Sequence, residues 1–176
     1  MNATLASPVI EALDADDDAR RFEAVYRTHY ASVCAYARRR LPERADDVVA
    51  ETFLVAWRRL DQLPGDGLPW LYGVARRVIS DFRRGARRQI ALAERIAGFH
   101  EPSDALPELP DDRLAAALAA LSEKERELLL LVYWEDLEPA RAASAMGCSR
   151  AAALTRLWRA HRRLRAELER LGDEDA

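Results

Sequence analysis

Apolar residues recur every three or four positions along most of this chain, which is the spacing of helices that bury one face. Stretches rich in proline, glycine and acidic residues interrupt the repeat. The pattern predicts an all-α protein with two small helical domains. We expect a disordered acidic tail over residues 1–18, a helical unit over 19–88, a flexible linker over 89–111 and a second helical unit over 112–171.

The second helix of the first unit has two different faces. It follows a helix that must end before Pro42, because a residue preceding proline is disfavoured in the α region. One face is apolar and suits core packing: Val49, Phe53, Ala56, Trp57 and Leu60. The opposite face is mixed: Asp47, Glu51, Leu54 and Arg58. Taken alone, this mixed face is most simply a solvated surface with a charge pair. Whether it binds a partner must be judged together with the neighbouring helices.

The third helix carries a concentration of arginine. Pro69 is well placed to begin it, and the apolar spacing continues to about residue 88. Its polar side carries arginines with an aromatic residue at the margin: Trp70, Arg76, Arg77, Ser80, Arg84 and Arg87. Solvated faces usually mix both signs, but Asp81 is the only acid here. Arginines beside an aromatic ring suit melted nucleic acid, because guanidinium groups pair with phosphates and unstacked bases lie on rings.

The second unit closes with a helix-turn-helix pattern. Before it, Ser122 and Glu125 form a capping box that begins a helix. Pro139 then fits a helix start, Gly147 a turn, and Ser149 the N-cap of a long basic helix. The candidate DNA contacts lie at the start of that last helix and along it: Ser149, Arg150, Thr155, Arg156, Trp158, Arg159 and Arg162. A plain helical hairpin with a charged outer face is the alternative interpretation.

The net charge of −3 hides a segregation of charges along the 176 residues. Residues 1–19 carry −5 and residues 89–111 carry −4, whereas residues 20–88 carry +7 from fifteen arginines and eight acids. Residues 149–165 hold six arginines and no acid. Two basic surfaces separated by acidic segments indicate two separate contacts with a polyanion.

Several classes of protein do not fit this sequence. No run of about 18 apolar residues occurs, so no membrane span is expected, and the acidic N-terminus lacks the order of a secretion signal. Two distant cysteines and three scattered histidines give neither a disulfide framework nor metal-ligand spacing. We therefore expect a cytoplasmic protein with no metal site and no cofactor. No nucleophile–base set or pair of carboxylates suggests catalytic residues, so we expect no enzyme.

Three motifs, in this order and spacing, carry a resemblance to a known family. They are Asp47-xxx-Glu51-x-Phe53-xx-Ala56-Trp57, then Trp70-Leu71-xx-Val74-Ala75-Arg76, then Leu121-xx-Lys124-x-Arg126-x-Leu128-Leu129 leading to Gly147-x-Ser149. The chain resembles a bacterial RNA polymerase sigma factor of the sigma-70 family, in the extracytoplasmic-function (ECF) group. The resemblance covers most of the chain, over residues 19–88 and 112–168.

The resemblance implies a function for each face. The first unit would be sigma region 2, whose Asp47, Glu51, Leu54 and Arg58 bind the β′ clamp helices of core RNA polymerase. Its arginine-rich helix would recognise the −10 element and hold the melted non-template strand. The second unit would be region 4, whose last helix enters duplex DNA at the −35 element while the unit docks on the β flap. The family acts as a monomer within holoenzyme, and an anti-sigma factor is a further partner that the resemblance allows.

Two other functions fit the sequence less well. A free-standing helix-turn-helix regulator would leave the arginine-rich third helix unexplained and would bind palindromic DNA as a dimer. A helical adaptor that binds only proteins would leave both basic surfaces unused. The chain also departs from the family at Arg77, where asparagine is common, and at Leu154, where a long basic donor is common. These departures predict an altered promoter preference.

Overall fold

The computed structural model describes residues 8–97 and 111–174, and these form α-helices, short 3-10 turns and connecting loops, with no strand in that part of the chain. The prediction of an all-α protein is confirmed. The helices are α1 (Pro8–Arg40), α2 (Ala45–Arg58), α3 (Gly67–Ala97), α4 (Asp112–Ala119), α5 (Glu123–Tyr133), α6 (Pro139–Met146) and α7 (Arg150–Glu174). In the described residues, no helix is long and apolar enough to cross a membrane.

Two helices extend beyond the bounds that the sequence predicted. α1 begins at Pro8, so it includes residues 8–18, which the sequence analysis assigned to the acidic tail. Acidic residues are favourable near a helix N-terminus, and Arg20 pairs with Asp16 one turn earlier at 2.6 Å. α3 continues to Ala97, because the start of the expected linker is rich in good helix formers and lacks proline. The remainder of that linker, residues 98–110, lies outside the described residues.

The predicted helix ends are confirmed by their hydrogen bonds. Ser122 and Glu125 form both reciprocal bonds of a capping box at the start of α5. Gly147 ends α6 in the left-handed conformation, with φ of 65°, which glycine adopts without steric cost. The backbone N–H of Ala152 donates to the Ser149 hydroxyl at 3.2 Å, capping α7. The local sequence therefore determines the helix-turn-helix of α6 and α7.

The first unit packs α1, α2 and α3 around a shared apolar core. Fully buried residues come from all three helices: Val33, Tyr36, Ala37, Val48, Ala56, Leu71 and Ala75. One predicted core residue is wrong, because Trp57 is 46% exposed. Its ring lies at the edge of the unit, 5.2 Å from the Phe22 ring centroid. α1 and α3 therefore cover the centre of the apolar stripe on α2 but not its edge at Trp57.

The second unit packs α4, α5 and α6 against α7. Its core consists of small and aliphatic side chains, including Leu118, Leu121, Leu128, Ala142, Ala153, Leu157 and Ala160. Arg163 of α7 pairs with Glu125 of α5 at 3.0 Å. Hydrogen bonds from Ser122 lower the pKa of Glu125, with Arg163 acting in the same direction against burial. One carboxylate therefore caps α5 and also forms an ion pair with α7.

The two units dock against each other, mainly through α3 and α6. A Cβ atom placed on Gly73 would lie 3.0 Å from the Ala145 carbonyl oxygen, so the backbones of α3 and α6 approach closely here. Buried apolar residues of both units form one continuous cluster. The pattern of apolar residues predicted two separable units and gave no sign of this contact.

Candidate polymerase and nucleic-acid interfaces

The polymerase face, defined as Asp47, Glu51, Leu54 and Arg58, lies on the solvent side of α2. All four side chains are exposed, and Leu54 is 40% exposed although it is aliphatic. Val49, Phe53 and Ala56 on the opposite side of α2 are buried. Arg44 pairs with Asp47 at 2.6 Å, a contact between exposed groups that contributes little stability. The face is therefore available to a partner without any rearrangement of the core.

An aromatic cluster adjoins one side of the polymerase face. Tyr26 and Tyr30 of α1 are 39% and 40% exposed, and the Tyr26 ring centroid lies 4.7 Å from that of Phe53. Trp57 continues the cluster onto α2. The rings of Tyr26 and Tyr30 lie over the edge of the core and are partly exposed. Exposed aromatic residues of this kind are enriched in protein interfaces.

The basic face of α3, defined as Trp70, Arg76, Arg77, Ser80, Arg84 and Arg87, is not uniformly open. Arg77, Arg84 and Arg87 are exposed, whereas Trp70, Arg76 and Ser80 are half-buried. Arg84 donates to the Ser80 hydroxyl at 2.8 Å and also pairs with Asp81. The docked second unit lies over the same side of the helix at Gly73, three positions before Arg76. The C-terminal half of the face is thus open, and its N-terminal half is partly covered.

A groove of about 410 Å³ joins these two faces. It runs between α2 and α3, with Glu51 of the polymerase face on one rim and Arg77 of the basic face on the other. Val55, Val74 and Val78 supply apolar lining. The two surfaces that the sequence predicted separately are therefore neighbours in the fold.

The recognition face lies on the outward side of α7. Thr155, Trp158, Arg159 and Arg162 are all exposed, and Trp158 is 59% exposed. The Arg162 guanidinium carbon lies 4.9 Å from the centroid of the Trp158 ring, a cation–π contact that fixes both side chains on one surface. Leu154, 46% exposed, belongs to the same surface. Base-edge and phosphate contacts are both available on this single helix face.

Three further candidate DNA residues, Ser149, Arg150 and Arg156, lie near the start of α7 and differ in how accessible their side chains are. The Ser149 hydroxyl accepts the capping bond described above. Arg156 is half-buried, with its Nη1 atom 3.8 Å from the Cys148 sulfur. Arg150 is exposed in the first turn of α7. Of these, only Arg150 points freely outward in the docked structure.

An apolar groove of about 420 Å³ lies on another side of α7. Its lining comes from α4, α5 and α7: Leu114, Leu118, Leu129, Leu130, Tyr133, Trp134, His161, Leu164, Arg165 and Leu168. Tyr133 is 68% exposed at its edge. His161 and Leu164 face this groove from turns of α7 whose other side carries Arg159 and Arg162. The second unit therefore offers an apolar surface distinct from the recognition face.

A polar cluster lies between the units and was not predicted from the sequence. Arg40 of α1 is 5% exposed; its Nε atom lies 3.0 Å from Glu127 and its Nη1 atom 2.8 Å from Glu135. Arg39 pairs with the other Glu135 oxygen. No local signal distinguishes the run of three arginines at residues 38–40 from an ordinary solvated helix end. Only the docking of α5 shows that Arg40 is buried.

Two tyrosines complete this cluster. The Tyr36 hydroxyl donates to Glu127 at 2.7 Å, and the rings of Tyr36 and Tyr72 stack with centroids 4.7 Å apart. Burial, and next the charge of Glu127, hold the pKa of Tyr36 well above its usual value. Burial and the charge of Glu135 raise the pKa of Tyr72 to about 12. Burial opposes the charge on Arg40, but Glu127, Tyr36 and Glu135 outweigh it, so the Arg40 pKa is raised.

The described residues combine a helix-turn-helix, an arginine-rich surface on α3 and an exposed acidic–apolar face on α2. These features are typical of DNA-binding transcription proteins. Comparison with known families identifies the family within this class. Residues 25–89 match the family described as Sigma-70 region 2, and residues 111–164 match Sigma-70, region 4. The chain belongs to the sigma-70 family of RNA polymerase sigma factors, in its ECF group.

Individual relatives agree with this assignment. The ECF RNA polymerase sigma factor SigL of Mycobacterium tuberculosis is 33% identical over 164 residues, covering 88% of this chain and 93% of SigL. The probable RNA polymerase sigma factor RfaY of Xanthomonas campestris is 38% identical over 135 residues, covering 70% of this chain but only 34% of RfaY. Among solved structures, CnrH in complex with the cytosolic domain of CnrY is 28% identical, with a TM-score of 0.59 over 94% of this chain and 96% of CnrH.

Proposed function

We propose that this chain binds core RNA polymerase as a monomer and directs it to promoters by recognising −10 and −35 elements and promoting DNA melting. The observation that carries the proposal is the combination of both sigma regions in one chain with an outward polymerase face on α2, a basic face on α3 and a recognition face on α7. Such a subunit needs no catalytic residues of its own, and it acts in the cytoplasm, where promoter DNA is found.

The division of DNA contacts follows from the chemistry of the two basic faces. The recognition face presents Thr155 and Trp158 where base edges in a major groove come within reach, with Arg159 and Arg162 placed for phosphates. The basic face of α3 combines exposed arginines with Trp70 at its margin, which suits a melted strand. Opening a base pair costs a few kcal/mol per unstacked base, so cations that hold the separated strand promote melting.

Two surfaces are candidates for polymerase contacts. The polymerase face of α2, with acidic, aliphatic and basic groups, would bind the β′ clamp helices. The apolar groove of the second unit would bind the β flap, because it leaves the recognition face of α7 free for duplex DNA. In the solved structure of CnrH, a second protein is bound, the cytosolic domain of CnrY. By analogy, we propose that a partner protein, an anti-sigma factor, controls this chain.

Charge reversal on the polymerase face tests the function directly. We expect the double variant Asp47→Lys and Glu51→Lys to keep its helical circular dichroism, because both side chains are exposed, but to lose binding to core RNA polymerase in a pull-down. Asp61→Lys with Glu169→Lys is the matched control, since it reverses two exposed acids outside the face.

The outcomes separate the competing functions. Normal core binding by the Asp47/Glu51 variant would remove the polymerase role from this face. Absence of core binding by the unaltered chain, together with dimeric binding to palindromic duplex DNA, would instead indicate a free-standing helix-turn-helix regulator.

A further inference from the structure

The docking cluster, defined as Tyr36, Arg39, Arg40, Tyr72, Glu127 and Glu135, is an anion site built by the first unit and filled by the second. The arginines and tyrosines belong to α1 and α3, and both carboxylates belong to the second unit, in α5 and just after it. Glu135 pairs with both Arg39 and Arg40, and its side chain is only 2% exposed. Each carboxylate therefore makes charge-assisted bonds to a surface of the other unit.

The first unit's side of this site has unused donors. Arg40 Nη2 and Arg39 Nε are buried and have no hydrogen-bond partner among the described residues. A planar guanidinium has five donors and suits any oxyanion, carboxylate or phosphate. The two carboxylates consequently leave some of the site's capacity unsatisfied, at a cost to the docked state.

This arrangement favours docking that can be reversed. Inside a core, a buried ion pair must remain desolvated, and its desolvation cost offsets much of its attraction. Between two units, the same groups can return to water or to another partner when the units separate. One ion pair across the interface lies outside the cluster, between Arg141 and Asp66 at 2.7 Å, and its side chains are 39% and 51% exposed, so solvent weakens it. Docking rests mainly on the cluster and on the contact of α3 with α6.

The anion site is continuous with the basic face of α3. Arg83 of α3 donates to the Arg40 backbone carbonyl at 2.8 Å, joining the end of α1 to the arginine-rich half of α3. The stacked rings of Tyr36 and Tyr72 lie beside the guanidinium groups; the Arg40 guanidinium carbon is 3.7 Å from the Tyr36 ring centroid. Guanidinium groups with aromatic rings, next to a surface that binds a melted strand, have the chemistry that recognises single-stranded DNA.

We propose that Arg39 and Arg40 form a phosphate site for melted promoter DNA, which Glu127 and Glu135 occupy while the two units are docked. The identity of the DNA rests on the proposed function, whereas the competition between carboxylate and phosphate does not. Arg40 is buried between the docked units, and Glu127 and Glu135 occupy the space beside it that a phosphate would need, so docking and strand binding exclude each other. DNA then binds the open state alone and shifts the population towards it.

Neutralising the two carboxylates should open the site. In the variant Glu127→Gln with Glu135→Gln, the amides keep the size of the side chains but lose their charge. Spin labels at Ala50→Cys and Ala166→Cys, two exposed positions on different units, with Cys148→Ser to prevent labelling there, report the distance between units. We expect one narrow distance in the parent chain and a broad, longer distribution in the variant. The matched control is Glu123→Gln with Glu138→Gln, two exposed acids of the same unit.

Binding of a fluorescent single strand of about 20 nucleotides and mixed sequence to the free 176-residue chain, followed by anisotropy, tests whether the site binds DNA. We expect the Glu127/Glu135 variant to bind about tenfold more tightly than the parent, whereas the control pair binds as the parent does. Adding Arg39→Gln and Arg40→Gln to the open variant should abolish this gain and reduce the salt slope by about 0.7 for each phosphate that the chain no longer binds. Arg20→Gln with Arg27→Gln in the open variant controls for the loss of two charges.

Several results of these experiments would contradict the proposal. An unchanged distance distribution would show that the carboxylates do not hold the units together. Separation without tighter binding, or tight binding that survives loss of Arg39 and Arg40, would show that the site does not bind phosphate. Failure to bind core polymerase would contradict the proposed function and leave these measurements unaffected, because they use the free chain.

Discussion

Gly73 offers a test of docking that changes no charge. Glycine within a helix costs about 1 kcal/mol relative to alanine, so Gly73→Ala should stabilise α3 in isolation. In the docked chain, however, the new Cβ atom would lie 3.0 Å from the Ala145 carbonyl oxygen and 3.7 Å from its Cα. The backbone of α6 must retreat by a few tenths of an ångström, which loosens packing between the units.

Gly85 provides the matched control on the same helix. A Cβ atom added there has no heavy atom within 4 Å, so Gly85→Ala should gain the full helix-propensity term of about 1 kcal/mol. For a chain of this size that gain raises the melting temperature by about 2–4 °C. We expect Gly73→Ala to gain clearly less in thermal unfolding followed by circular dichroism, and Gly73→Leu to separate the units in the spin-label experiment.

Two results would contradict this account of the contact between α3 and α6. If Gly73→Ala raises the melting temperature as much as Gly85→Ala, the backbones of α3 and α6 do not approach as closely as described. If Gly73→Leu keeps the narrow distance between labels, the side chain is accommodated without undocking, and the contact of α3 with α6 does not hold the units together.

Four further variants test single side chains or a pair of them. Arg159→Ala should weaken closed-complex binding and reduce its salt dependence, both measured by filter binding. Trp158→Ala should change which −35 sequence is preferred, and competition assays should show a change of about 1–3 kcal/mol in the free energy that separates the competing sequences. Trp70→Ala with Arg84→Ala should leave duplex binding nearly normal but block opening, seen as lost permanganate reactivity that a pre-melted template restores; normal opening would remove the melting role from α3. Tyr72 keeps its proton in the folded chain up to a pKa of about 12, against about 10 when unfolded. Stability should therefore fall as pH rises from about 10 to 12, and Tyr72→Phe should make this decline shallower in denaturant titrations.

Much of the candidate site follows from helical periodicity, because an amphipathic helix must bury its apolar stripe and expose the opposite one. On this basis the sequence predicts that Asp47, Glu51 and Arg58 lie outward on α2, and the structure places them there. The same reasoning fails for Trp57, whose position on the apolar stripe does not reveal that the neighbouring helices stop short of covering it. Periodicity determines which side of a helix faces inward but not how wide a surface its neighbours cover.

The helix caps and the order of the two helical units can be predicted from the amino-acid sequence, because caps depend on contacts between residues a few positions apart. The hydroxyl of Ser149, the left-handed Gly147 and the capping box at Ser122 act locally and are confirmed. The burial of Arg40 and its pairing with Glu127 and Glu135, in contrast, are visible only in the folded structure. Those partners lie 87 and 95 residues away along the chain. A charged residue acquires such a distant partner when whole helices pack together, and no local pattern of residues encodes that packing.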